Sequence, residues 1–176
     1  GATRGIGQAI SLALKSSGIK VIGTATTKKG VEDINAAGFN GALLNLTESN
    51  SVETFWSEIK EQYQTINILV NNAAANPYFG HILDTDLGAY DKTVDVNIRG
   101  YFFMSIEAGK MMKEQGGGVI LNTASVNGVT PGDMQGIYSI TKAAVISMTK
   151  SFAKECGSLN IRVNALLPGL TDTKFA

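Results

Sequence analysis

The chain has 176 residues, 44% of them apolar and 17% charged, and its fifteen basic residues balance fifteen acidic ones. That composition suits one globular domain and gives no basic face for nucleic acid or an anionic membrane. No apolar run is long enough to span a bilayer. The single cysteine, Cys156, cannot form an internal disulfide, so a reducing, cytoplasmic setting is the expectation.

The chain opens on a glycine-rich turn, Gly1-Ala2-Thr3-Arg4-Gly5-Ile6-Gly7. Gln8 to Ser17 follows with Ile10, Ala13 and Leu14 at helical spacing, and Gly18 as a stop. Lys20 to Thr24 reads as a short buried strand, Val31 to Ala37 as a short helix and Ala42 to Leu46 as a second strand. Asn50 and Glu53 have the spacing of a capping box opening a helix to about Tyr63. Ile66 to Val70 is a strand ending in Asn71-Asn72-Ala73-Ala74. Leu87 to Met112 is a long helix with Val94, Ile98 and Phe102 on one stripe. Val119 to Thr123 is a strand, Ile137 to Cys156 a second long helix, and Ile161 to Leu166 a strand before Leu167-Pro168-Gly169. The alternation predicts an α/β fold with a doubly wound parallel sheet covered on both faces, in one domain over 1–176. In such sheets ligands bind beyond the carboxyl ends of the strands, where Asn71 to Ala74, Ser125 and Pro168-Gly169 fall.

Ser125, Tyr138 and Lys142 carry the sharpest chemistry. Residues four apart on a helix share a face, so the Tyr138 phenol and the Lys142 ammonium address one small volume. A free tyrosine titrates near pH about 10 and is a poor proton carrier at neutrality. A nearby cation is expected to lower it. The Ser125 hydroxyl, at a strand end, can donate to a carbonyl oxygen.

The glycines at 1, 5 and 7 let backbone amides approach a pyrophosphate at a helix N-terminus. After the next strand comes Thr26-Thr27-Lys28-Lys29, with no acid to bind ribose hydroxyls. With Arg4 in the turn, this favours a 2′-phosphate, although Lys28 and Lys29 are equally read as solvated loop charges. Asn71 to Ala74 can fix the next strand or a nucleotide, or be a plain polar turn. Asn97 is a poor helix former that needs a polar partner if it faces inward. Asp84, Asp86, Asp91 and Asp95 read as helix caps or surface charges, and His81 as a surface residue. Phe55, Trp56, Met104, Met111 and Met112 read as core. No Gly-x-Ser-x-Gly and no histidine pair at metal spacing occurs, so neither a serine hydrolase nor a metal site is expected.

In this order, the glycine turn, Asn-Asn-Ala-Ala, Asn97, Ser125 with Tyr138-x-x-x-Lys142, and Pro168-Gly169-x-x-x-Thr173 resemble the short-chain dehydrogenases/reductases across the whole chain. The resemblance implies a three-layer Rossmann fold and hydride transfer between NADP(H), less readily NAD(H), and a ketone or secondary alcohol. It implies Tyr138 as proton donor and acceptor, Ser125 as binder of the carbonyl oxygen, and Lys142 as ribose binder that lowers the tyrosine. Asn97 would hold a relay water. The cofactor would be bound by Gly1, Thr3, Arg4, Gly5, Ile6, Gly7, Thr26, Asn45, Leu46, Asn72, Ala73, Ala74, Tyr138, Lys142, Pro168, Gly169, Thr171 and Thr173. Within the family the chain resembles both 3-oxoacyl-(acyl-carrier-protein) reductases and NADPH-dependent carbonyl reductases. A non-catalytic dinucleotide sensor is the rival from another class. The long helices are candidates for a homo-oligomer interface. Two departures stand out. Ala74 replaces the family's usual glycine, and the family's first strand and C-terminal segment have no counterpart in the sequence. The chain alone is therefore expected to be poorly stable or inactive.

Overall fold

Strand and helix signals in the sequence translate into elements within two or three residues of the expected bounds. The computed structural model describes residues 1–172. These fall into two compact units, Gly1–Ile59 with residues 170–172, and Lys60–Gly169.

In the first unit, α1 (Gly5–Ser16) begins three residues earlier than expected, so Gly5, Ile6 and Gly7 form its first turn. Gly18, at φ 78°, ends it as predicted, and the Ile19 amide closes onto the Leu14 carbonyl. β1 (Ile22–Ala25) pairs in parallel with β2 (Asn40–Leu43), joined through α2 (Lys28–Ala36). Thr27 caps α2 by accepting from the Gly30 amide at 3.1 Å. β2 ends earlier than expected, which leaves Asn45 and Leu46 just beyond its carboxyl end. α3 (Ser49–Gln62) places Asn50 inside its first turn rather than at the cap. Phe55 and Trp56 are buried on α3 in edge-to-face contact, as core residues.

In the second unit, β3 (Ile68–Asn71), β4 (Gly118–Thr123) and β5 (Ile161–Leu166) form a parallel sheet in the order β3-β4-β5. The expected long helix is α4 (Leu87–Val94), a π-helical stretch at 95–100, and α5 (Tyr101–Glu114). Asp86 caps α4 by accepting from the Ala89 amide. Among the described residues α5 packs on β3 and β4, and α6 (Gly136–Cys156) packs on β5. The inward stripe differs from the predicted Val94, Ile98 and Phe102. Thr93, Asn97, Tyr101 and Ser105 are the buried ones, and Phe102 is exposed. Counting apolar residues passed over a stripe carrying hydroxyls and an amide. Tyr101, Ala124, Val145 and Met148 form a core cluster, with Met104, Met111 and Met112 also buried. The architecture is a three-layer α/β/α fold with parallel strands.

Candidate active site

Because the strands of the second unit run parallel, their carboxyl ends share one edge. Asn71 ends β3 and Asn72 to Ala74 follow it, Ser125 follows β4, and Pro168-Gly169 follow β5. The Val126 amide donates to the Pro168 carbonyl at 3.1 Å, tying the last two together. Ser125 is a buried cap, its hydroxyl oxygen accepting from the Asn127 amide at 3.1 Å. Ser125 also hydrogen-bonds the Tyr138 hydroxyl. α6 carries Tyr138 and Lys142 on the same face, both buried.

Lys142 is the unusual charge of the site. It is 1% exposed, and its ammonium donates to the Thr123 backbone carbonyl at 2.7 Å. The ring centroids of Tyr101 and Tyr138 each lie 5.5 Å from its Nζ. It has no carboxylate partner among the described residues, and burial lowers its pKa to about 8. Tyr138 departs from the sequence expectation. Burial pushes its phenol up, and only the hydrogen bond with Ser125 pulls it back. Taking the phenolate out of water here outweighs that bond, and the Lys142 ammonium four residues along is directed at a carbonyl. Tyr101, fully buried, is also raised by burial and by its neighbour Tyr138.

Asn97 lies in the π-helical stretch with no exposed surface. Its Oδ1 accepts from the Ala75 amide at 2.9 Å, and its Nδ2 donates to the Ala75 carbonyl at 3.0 Å and to Thr141 Oγ1 at 3.0 Å. The Thr141 hydroxyl donates to the Tyr138 carbonyl at 2.7 Å. Asn97 thus joins the loop after β3 to the turn of α6 that bears the tyrosine. A buried ladder runs beneath. Asn71 Nδ2 donates to Asn122 Oδ1 and Asn122 Nδ2 to Thr149 Oγ1, both at 2.9 Å, while Thr123 Oγ1 donates to Asn72 Oδ1. Asn71 therefore fixes the neighbouring strand, one of the two roles its motif allowed.

Asn97, Ser125, Tyr138 and Lys142 are brought together in the second unit, near Asn72, Ala73, Ala74, Pro168 and Gly169. Gly1, Thr3, Arg4, Gly5, Ile6, Gly7, Thr26, Asn45 and Leu46 lie in the first, at the start of α1 or past the ends of β1 and β2. Thr171 is exposed, and Thr173 lies outside the described residues. Sequence reasoning missed the Thr123 carbonyl, Tyr101 and Thr141. A carbonyl has no side-chain signature. Tyr101 and Thr141 look like ordinary helix residues, although Tyr101 stands four after Asn97 on its face. His81 is exposed, as predicted. Among the described residues no group of three His, Cys, Asp or Glu side chains could hold a metal, and no helix is long and apolar enough to cross a membrane.

Fold and site together define a doubly wound α/β protein with a serine, a tyrosine and a lysine gathered at the carboxyl edge of a parallel sheet. The family described as short chain dehydrogenase matches residues 1–176, and the chain belongs to that family of oxidoreductases. It is 32% identical over 180 residues to mouse dehydrogenase/reductase SDR family member 4, covering 99% of this chain and 64% of that protein. Among solved structures, ElxO with NADP bound superposes with a TM-score of 0.93 at 26% identity, covering 99% of this chain and 73% of that one. The 3-ketoacyl-(acyl-carrier-protein) reductase of Brucella melitensis, complexed with NADH, gives 0.92 at 28%, covering 99% and 74%. The chain thus spans about two thirds of its mouse relative's length.

Proposed function

We propose that this protein transfers hydride between NADP(H) and a ketone or secondary alcohol, with Tyr138 as proton donor and acceptor. The observation that carries the proposal is the buried cluster in which Ser125 hydrogen-bonds Tyr138 while Lys142 stands 5.5 Å from its ring. The nicotinamide, when bound, supplies or accepts the hydride. Ser125 donates a hydrogen bond to the carbonyl oxygen, and Tyr138 delivers a proton to the same oxygen as negative charge develops on it. A phenol raised by burial is protonated at neutral pH, the state a reductase needs. Lys142 binds the cofactor ribose and limits the cost of the phenolate left behind. Asn97 positions the loop after β3 and holds the relay water.

The chain fits a dinucleotide. α1 begins at Gly5 with no acidic residue in its first turn, and the Arg4 side chain makes no capping bond, so the first amides of α1 can meet a pyrophosphate. Gly1, Thr3, Thr26, Asn45, Leu46, Asn72, Ala73, Ala74, Pro168, Gly169, Thr171 and Thr173 complete the cofactor set. We take 1–176 as one dinucleotide-binding domain. Arg4, with no acid after β1, favours NADP(H) over NAD(H). Arg4→Ala should lower kcat/KM for NADPH by about tenfold while changing that for NADH little, and an equal loss with both would refute it. A homo-oligomer is proposed through α5 and α6, where Phe102, Phe103 and Ile140 are exposed. Light scattering of a monomer would refute that.

The test of the reaction is Tyr138→Phe in the full-length protein. NADPH binding, read by fluorescence, should persist while ketone reduction falls by at least about a hundredfold. Near-normal turnover overturns the proposal. Acyl thioesters belong in the substrate panel. The likeness to the Brucella reductase favours a 3-oxoacyl thioester as the second reading, and preference for such a thioester over simple ketones would select it. Binding without turnover on any carbonyl would mark a sensor.

A further inference from the structure

Lys142 is a buried cation with no carboxylate partner among the described residues, and its side chain spans from α6 to β4. Such a chain needs something to hold its end, because four rotatable bonds leave it many positions. One anchor is the Thr123 carbonyl at 2.7 Å. The other is aromatic. Tyr101 rises from the start of α5, has no exposed surface, and sets its ring centroid 5.5 Å from Nζ, within cation–π range. Its hydroxyl donates to the same Thr123 carbonyl, at 3.4 Å. Ser105, one turn along, donates to the Tyr101 carbonyl at 2.7 Å, and Ala124, Val145 and Met148 pack around the ring. We propose that Tyr101 is a positioning residue that holds the Lys142 ammonium against the Thr123 carbonyl and beside Tyr138.

The groups facing Lys142 are Tyr138 from its own helix, Tyr101 from α5 and the Thr123 carbonyl from β4. Ser125, also after β4, faces Tyr138. Since no carboxylate among the described residues pairs with Lys142, the ring of Tyr101 is the main aromatic restraint not itself in the reaction. Without it the ammonium is freer to leave the Thr123 carbonyl and the Tyr138 ring, and the charged form of Lys142 loses a favourable neighbour. The Lys142 ionisation then moves further down. The hydroxyl of Tyr101, at a long 3.4 Å, matters less than its ring.

This inference rests on Tyr138 being the proton carrier, and the tests separate the two. In the full-length protein without cofactor, NMR titration of the lysine ε-methylene signals, with Lys142→Met as the subtraction control, reads Lys142 alone. Tyr101→Leu should lower its midpoint by at least about half a pH unit, whereas Tyr101→Phe, which keeps the ring, should leave it within about 0.2. The basic limb of kcat/KM for ketone reduction should move the same way, with kcat falling about tenfold in Tyr101→Leu only. If Tyr101→Leu does not fold, Tyr101→Met replaces it in the comparison. An unmoved midpoint in the Leu or Met variant, or an equal shift in the Phe variant, overturns the role of the ring. If wild-type protein reduces no carbonyl with either nicotinamide, the proposed reaction fails. The Lys142 titration still decides Tyr101.

Discussion

Removing the Asn97 side chain tests how the loop after β3 is held. Asn97→Ala strips partners from three groups: the Ala75 amide, the Ala75 carbonyl and Thr141 Oγ1, at 2.9, 3.0 and 3.0 Å. A buried polar group left without its partner costs about 1–3 kcal/mol. Ala75 is only half-buried, so water recovers part of its loss. The Thr141 hydroxyl keeps its bond to the Tyr138 carbonyl. The expected destabilisation is therefore about 2–4 kcal/mol, below the sum for three dry groups. Asn97→Asp keeps the acceptor for the Ala75 amide but turns a lone pair toward the carbonyl and the threonine, so it should lose about as much. Urea unfolding measures the stability, and hydrogen exchange at the Ala75 amide measures the local opening. That amide should exchange faster in Asn97→Ala by a larger factor than amides in β4. A cost under about 1 kcal/mol with unchanged Ala75 protection would refute the reasoning.

Other expectations concern Lys142 and its support. Folded Lys142 titrates at about 8 instead of 10.5. Between those values the unfolded chain binds more protons, so the Lys142 contribution rises with pH by up to about 3 kcal/mol. The unfolding free energy of Lys142→Met relative to wild type should therefore fall as pH goes from about 8 to about 10. A gap that stays constant across that window refutes the lowered pKa. Gly128 lies against α6, where an added Cβ would come 2.7 Å from the backbone carbon and oxygen of Lys142. Gly128→Ala should cost about 1–3 kcal/mol, since backbone cannot swing aside as a side-chain end can. An unchanged melting temperature would show that α6 moves freely there.

Much of the scaffold was legible in the sequence. Periodicity named the five strands and the main α-helices among the described residues, but not the short 3-10 turns or the π-helical stretch at 95–100, because the alternation of buried and exposed positions is a local property of longer elements. Gly18 and Asp86 ended and began their helices as read. Errors fell where a local rule had a competitor. Asn50 and Glu53 had capping-box spacing, yet the helix starts at Ser49, two residues before the start such a cap would set. The apolar stripe Val94, Ile98, Phe102 lost to Thr93, Asn97, Tyr101 and Ser105, because these polar groups find partners across the sheet and in the helix before them.

The sequence alone determined that Tyr138 and Lys142 share a helix face and that Ser125 stands at a strand end. These follow from helix pitch and strand direction and need only neighbours in the chain. The tertiary structure decided what those groups become. The Thr123 carbonyl that accepts the Lys142 hydrogen bond lies 19 residues away, and the backbone held by Asn97 lies 22 residues away. The sign of the Tyr138 shift was decided in the same way, upward against the expectation of a lowering cation. Desolvation sums over every atom that displaces water from a group, wherever it lies in the chain, so spacing along one helix could not supply it.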